Sequence, residues 1–269
     1  MPRYAPADPP EDTLGGYFRA AITHHLRTWV WVTEAGEAAL CIYLIALGAG
    51  DMTPEVFMLY PGIFALVVAG TLAYRRTIAC RSERSYVDLG EVRNRQALLF
   101  GEALACFLMS AILVAVTFVA GAVLAPGKIG TAGALAVGYG LILINAATAV
   151  MVTFLFSGLV LSSDAPSVLS IVVLVLGASR SDLSREIMRS VPLEPLVFVS
   201  RLLTPPFEET IKCAMHGTLA LDWAYAVQTV IYGCLAACIS SALFARRALA
   251  GGRTVPVRAP RTKKEPHAS

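Results

Sequence analysis

Four polar residues stand inside long apolar runs of this chain: Glu34, Glu37, Glu102 and Asn145. A carboxylate or amide among aliphatic neighbours is costly unless it finds a partner, so each points to a contact or a function. Glu34 and Glu37 are three residues apart, which puts both carboxylates on one face of a helix. Two uses fit this placement. In one, the glutamates line a polar pathway or an assembly interface, with Asn145 as hydrogen-bonding glue between helices. In the other, Glu34, Glu37 and Glu102 sit near the lipid headgroups and pair with arginines such as Arg27 or Arg95.

Residues that could carry catalysis are sparse. The four histidines are His24, His25, His216 and His267, none of them central in an apolar run. No GxSxG or HExxH occurs, and no pair of aspartates stands ready to hold a metal beside a lipid headgroup. A nucleophile with its own buried base is therefore missing from the pattern. The stretch GAVLAPGKIG has Ala122 and Ile129 where a phosphate loop needs glycine and Ser or Thr. Of six cysteines, Cys41, Cys106, Cys234 and Cys238 lie in apolar runs, Cys80 in a polar stretch and Cys213 in a later loop, which is no disulfide framework. Cys234 and Cys238 share a helix face, but two thiols alone pack more readily than they ligate. The expectation is a non-catalytic chain with no metal and no cofactor bound directly.

The apolar runs are the elements that must position these side chains. The chain is 56% hydrophobic and only 15% charged, against about 25% charged for a soluble domain. A bilayer span needs roughly 20 mostly apolar residues. Six candidates follow: Val30–Ala49, Val56–Tyr74, Leu98–Leu124, Ala132–Leu161, the shorter Val168–Ala178, and Trp223–Phe244. In lipid a helix satisfies its own backbone, and the alternation of a transmembrane barrel is absent. The fold class is thus all-α, a polytopic membrane protein with about six transmembrane helices.

Residues 1–13 are polar and proline-rich, unlike a cleavable signal peptide, and are expected to be disordered. Leu14, Phe18, Ile22 and Leu26 follow helical spacing, as in an amphipathic helix lying on the membrane surface. Between the second and third spans, RRTIACRSERSYVDLGEVRNRQ carries six arginines and three acids. Ile78, Ser82, Ser85, Leu89 and Val92 give it a weak helical stripe, with Gly90 as a stop. This island is either a docking helix or a solvated loop that only sets topology. Before the last span, TPPFEETIKCAMHG reads as a capped helix, with Thr204 as cap and Gly217 closing it, either interfacial or re-entrant or an ordinary surface helix. Residues 251–269 form a basic tail, expected to be disordered. Arginine and lysine bias favours both termini, and the island, on the cytoplasmic side of a cell (inner or plasma) membrane. The outer loop, about 179–222, carries more cations than that rule prefers.

The order of these segments resembles the permease subunit of an ABC transporter, of the type-two, six-span exporter family. Four stretches carry the likeness: the amphipathic segment with Arg27 ahead of the first span; ERSYVDLGEVRNRQALLFGEALA (83–105); SRLLTPPFEETIKCAMHG (200–217); and the closing SALFARRALA (241–250). It spans about residues 13–250, as a single permease domain over 14–250. One departure is Gly90-Glu91-Val92-Arg93, where the family often has a proline before the arginine. The resemblance implies a dimer, with a second permease copy or paralogue, and separate ABC ATP-binding subunits carrying ATP and Mg. It implies that the island is an ATPase-coupling segment, with Arg81, Glu83, Arg84, Tyr86, Asp88 and Leu89 at its centre. The first, second and fifth spans would border the pathway for a hydrophobic, lipid-linked, peptide or polymeric substrate. No nucleic-acid partner is expected. A membrane anchor that recruits a cytoplasmic protein without transport is the alternative.

Overall fold

The computed structural model describes residues 13–28, 31–82, 94–127, 129–161, 166–179, 204–216 and 223–251. Among them all regular structure is helical, and five helices are long and apolar enough to cross a membrane. The chain is an all-α, polytopic membrane protein. The elements are α1 (Leu14–Arg27), α2 (Trp31–Gly48), α3 (Pro54–Ser82), α4 (Arg95–Leu124), α5 (Ala132–Leu155), α6 (Gly158–Leu161), α7 (Ser167–Ala178), α8 (Phe207–His216) and α9 (Trp223–Gly251).

Starts of several helices are written in short polar residues. Thr13 accepts from the Gly16 N–H at 3.1 Å, Asn94 from Ala97 at 3.0 Å and Thr131 from Ala134 at 3.3 Å. Each satisfies an amide that has no partner in the first helical turn. The bundle is organised around α5, which packs on α3, α4, α7, α8 and α9. Its aliphatic sides are buried against them, while Leu40, Ile112, Val119 and Leu235 face outward, as a lipid-facing surface requires.

Three expectations need correction. The fifth span is only half a span: α7 has 12 residues, about 18 Å, against about 30 Å of hydrocarbon. An apolar run of that length reads the same whether it crosses or stops midway.

The second span does not end at Arg75 and Arg76. Its helix α3 runs on to Ser82, 29 residues in all, or about 43 Å. The first residues of the arginine-rich island are therefore the last two turns of a spanning helix. Arg76, Thr77 and Cys80 there are buried.

The third correction concerns α8. Of the placements expected for it, the interfacial and surface ones give way to the re-entrant one: it is folded into the bundle, against α3, α5, α7 and α9. Phe207, Thr210, Ile211, Cys213 and Ala214 are buried. The helix begins after Pro206, with Phe207 N–H donating to the Pro205 carbonyl at 2.9 Å. A Cβ on Gly177 would lie 2.6 Å from the Phe207 ring and 2.9 Å from the Pro205 oxygen. Only glycine lets the end of α7 come this close to the start of α8. Gly217 lies outside the described residues.

Candidate functional site

The glutamates singled out by the sequence converge at one end of the bundle, and their partners are the two arginines that the apolar run of α3 leads into. Arg75 and Arg76 are adjacent on one helix, so they point about 100° apart and address different neighbours. Arg76 turns toward α4. Its Nε donates to Glu102 Oε2 at 2.7 Å and its Nη2 to Glu102 Oε1 at 2.8 Å. This is a two-pronged pair with both side chains almost wholly buried, 4% and 0% exposed. Arg75 turns toward α2. Its Nη1 donates to Glu34 Oε1 at 2.9 Å and to the Thr33 hydroxyl, and its Nη2 lies 3.9 Å from Glu37 Oε1. Thr71, one turn earlier, donates to Glu37 Oε2 at 3.3 Å.

Two histidines of α1 complete the cluster. Arg76 Nη1 lies 2.7 Å from His24 Nδ1. A guanidinium can only donate, so Nδ1 accepts and carries no proton. His25 Nε2 faces Glu34 Oε2 at 3.8 Å, and that oxygen has no hydrogen-bond partner. Burial holds the His25 imidazole below its ordinary value; Glu34 opposes the shift, while Arg76, His24 and Arg75 add to it. A small cavity of about 40 Å³ lies among His24, His25, Thr28, Glu34, Arg75 and Arg76, with Leu72 and Ala79.

The position of α1 makes these contacts possible. Tyr17, Ala21 and His25, one helix face, are buried, while Leu14 and Leu26 on the adjoining apolar side are exposed. A Cβ on Gly101 would sit 2.9 Å from Tyr17 Cβ and 3.1 Å from the Leu14 carbonyl oxygen. So α1 is clamped on α4 at a glycine and presents the expected stripe beside that contact. It is a surface helix held to the bundle by one face.

Of the residues read from sequence, Glu34, Glu37 and Glu102 are brought together. They pair with arginines, but with Arg75 and Arg76 rather than Arg27 or Arg95. Asn145 belongs to a different seam. Its Nδ2 donates to the Phe207 carbonyl at 3.1 Å. Next to it Thr148 donates to the Thr229 carbonyl at 3.1 Å, and Thr210 and Thr229 share a hydrogen bond of 3.0 Å. That seam fixes α8 between α5 and α9. Arg81 stands in the last turn of α3. Glu83, Arg84, Tyr86, Asp88 and Leu89 lie outside the described residues.

Arg75, Arg76, His24 and His25 were not singled out in the sequence. Their signal was an RR pair at the end of an apolar run and an HH pair in an amphipathic segment, two steps of opposite hydrogen-bonding capacity. Among the described residues no three His, Cys, Asp or Glu side chains gather as a metal ion would need.

A second feature adjoins the cluster. A groove of about 460 Å³ opens between α3, α5 and α7, lined mainly by aliphatic side chains such as Ile63, Val67, Leu174 and Val175. Its size falls in the range of small-molecule sites. Thr71 belongs to both, lining the groove and bonding Glu37. No family model, curated protein or solved structure matches this chain.

Proposed function

We propose that the chain is the membrane-spanning permease subunit of an ATP-driven ABC transporter of the exporter type. A partner chain hydrolyses ATP, and a second permease copy or paralogue completes the transmembrane unit. Both termini and the arginine-rich island face the cytoplasm in this reading, following the arginine and lysine bias.

One observation carries it. The helix that leads into the island, α3, is tied through Arg75 and Arg76 to α1, α2 and α4 at the point where it leaves the apolar region. A force applied to the island by a cytoplasmic partner would move a polar unit spanning four helices, not a free loop. The groove between α3, α5 and α7 lies directly above that unit on the same helix, so motion of α3 changes its width. An apolar or amphipathic substrate, or the apolar part of a larger one, suits its lining.

Co-purification tests the reading. A tagged chain should bring down an ATP-hydrolysing subunit from its native membrane, and reversing charge at Arg81, Arg84 and Asp88 should release it. If the partner that binds hydrolyses no nucleotide, the chain is an anchor or assembly factor and the transport reading is wrong.

A further inference from the structure

The apolar groove between α3, α5 and α7 ends beside a pair of opposite charges, and one row of side chains joins the two. Ile63, Val67, Thr71 and Arg75 follow each other at i, i+4 along α3, so they stand one above another. The first three line the groove; Arg75 stands at its foot, next to Tyr74, the last lining residue of α3. From Ile63 to Tyr74 the groove runs about 17 Å along the helix. That is half of a hydrocarbon core of about 30 Å, the depth of one leaflet. Its rim is open: Ile63, Val67, Ile171 and Val175 are each 47% to 58% exposed, on a bundle whose outer face is apolar. Water finds few hydrogen-bonding partners in such a cleft, so an apolar chain fills it.

The foot has spare hydrogen-bonding capacity of both kinds. Arg75 uses Nη1 on Glu34 and Thr33. Its Nε and Nη2 make no hydrogen bond among the described residues, and the side chain is 36% exposed. Glu37, 25% exposed, accepts from Thr71 on Oε2, and its Oε1 lies 3.9 Å from Arg75 Nη2, beyond hydrogen-bond reach. A phosphate accepts from free guanidinium N–H groups, and an ammonium donates to a carboxylate oxygen. Arg76 is already neutralised by Glu102, which leaves Arg75 facing both Glu34 and Glu37. An anionic headgroup would add a charge of the wrong sign there, whereas a zwitterion with an amine supplies both partners.

We propose that the groove is a binding site for one phospholipid with a zwitterionic, amine-bearing headgroup, a phosphoethanolamine. One acyl chain lies along α3 from Tyr74 toward Ile63, the phosphate takes the free N–H groups of Arg75, and the ammonium bonds Glu37. Gly70 sets the back of the groove, because a Cβ there would meet Leu174 Cδ1 at 2.8 Å. The site is a property of this chain alone and does not rest on the transporter reading. It is measured with no ATPase present, so either idea can fail without the other.

The test is native mass spectrometry of the full chain, delipidated in detergent and titrated with dioleoyl phosphatidylethanolamine, phosphatidylcholine or phosphatidylglycerol. One phosphatidylethanolamine should be retained about tenfold more tightly than either of the others, the size of one hydrogen bond to a charged group. Glu37→Gln should hold phosphatidylethanolamine and phosphatidylcholine equally. Val67→Trp, which places an indole in the groove from an exposed position, should lose the tight adduct. A phosphatidylethanolamine carrying a diazirine on its acyl chain should label residues 63–74 and 167–178 above the rest of the lipid-facing surface, and this readout needs no variant. Equal retention of the three lipids, or a preference for either of the other two, would overturn the proposal. So would a tight adduct that survives Val67→Trp, or labelling spread evenly over α2 and α9.

Discussion

At the scale of single residues, the strongest statement concerns Arg76 and Glu102. Neither could be buried alone at membrane depth, and together they exchange two charge-assisted hydrogen bonds. Removing one partner leaves the other's charge uncompensated. Glu102→Leu or Arg76→Met should each lower stability by about 3–5 kcal/mol. The double variant Arg76→Met with Glu102→Leu should recover most of that loss. Thermal unfolding of the reconstituted chain measures it as a double-mutant cycle, and strict additivity would refute the pairing. Glu37→Gln is the contrast: its partner Arg75 is 36% exposed and 3.9 Å away, so the loss should stay below about 1 kcal/mol. The sequence made the three acids legible, since carboxylates in apolar runs must be explained. Their partners were not legible, because Arg75 is 41 residues from Glu34 and Arg76 is 26 from Glu102. Local spacing says nothing about contacts made across a bundle.

At the scale of elements, close approach at glycine and short polar seams decide which helix sits where. Gly101→Val would push α1 off α4, since even a Cβ there meets Tyr17 at 2.9 Å. Hydrogen exchange over residues 14–27 should then rise sharply while α3 and α5 keep their protection; unchanged protection of α1 would mean that the glycine clamp is not what holds it. Asn145→Ala removes the bond to the Phe207 carbonyl, for a loss of about 0.6–1.7 kcal/mol. The same variant should raise exchange in α8 before α5. Long apolar runs made α2, α3, α4, α5 and α9 readable as spans, because length and hydropathy are what a bilayer selects. The depth of α8 was not readable. Phe207, Ile211 and Ala214 give the same apolar stripe whether a helix lies on lipid or inserts between two others. Likewise α7 was read as a short span from composition, although its 12 residues give only about 18 Å of helix.

At the scale of the whole molecule, α3 is the element that joins the parts. Its lower turns carry Arg75 and Arg76, its upper turns line the apolar groove, and its last turn opens the arginine-rich island. That continuity is why a chain so apolar carries one dense polar stretch: the island extends a helix already wired to α1, α2 and α4. The permease proposal rests on this wiring, and coupled ATP turnover tests it most directly. The chain is reconstituted with its co-purified ATPase in nanodiscs, and hydrolysis is compared between the parent and the Arg81→Glu, Arg84→Glu, Asp88→Arg variant. The account predicts that the permease stimulates turnover in the parent and that the variant loses this stimulation while still inserting and folding. Equal turnover with parent, variant and no permease at all would contradict it.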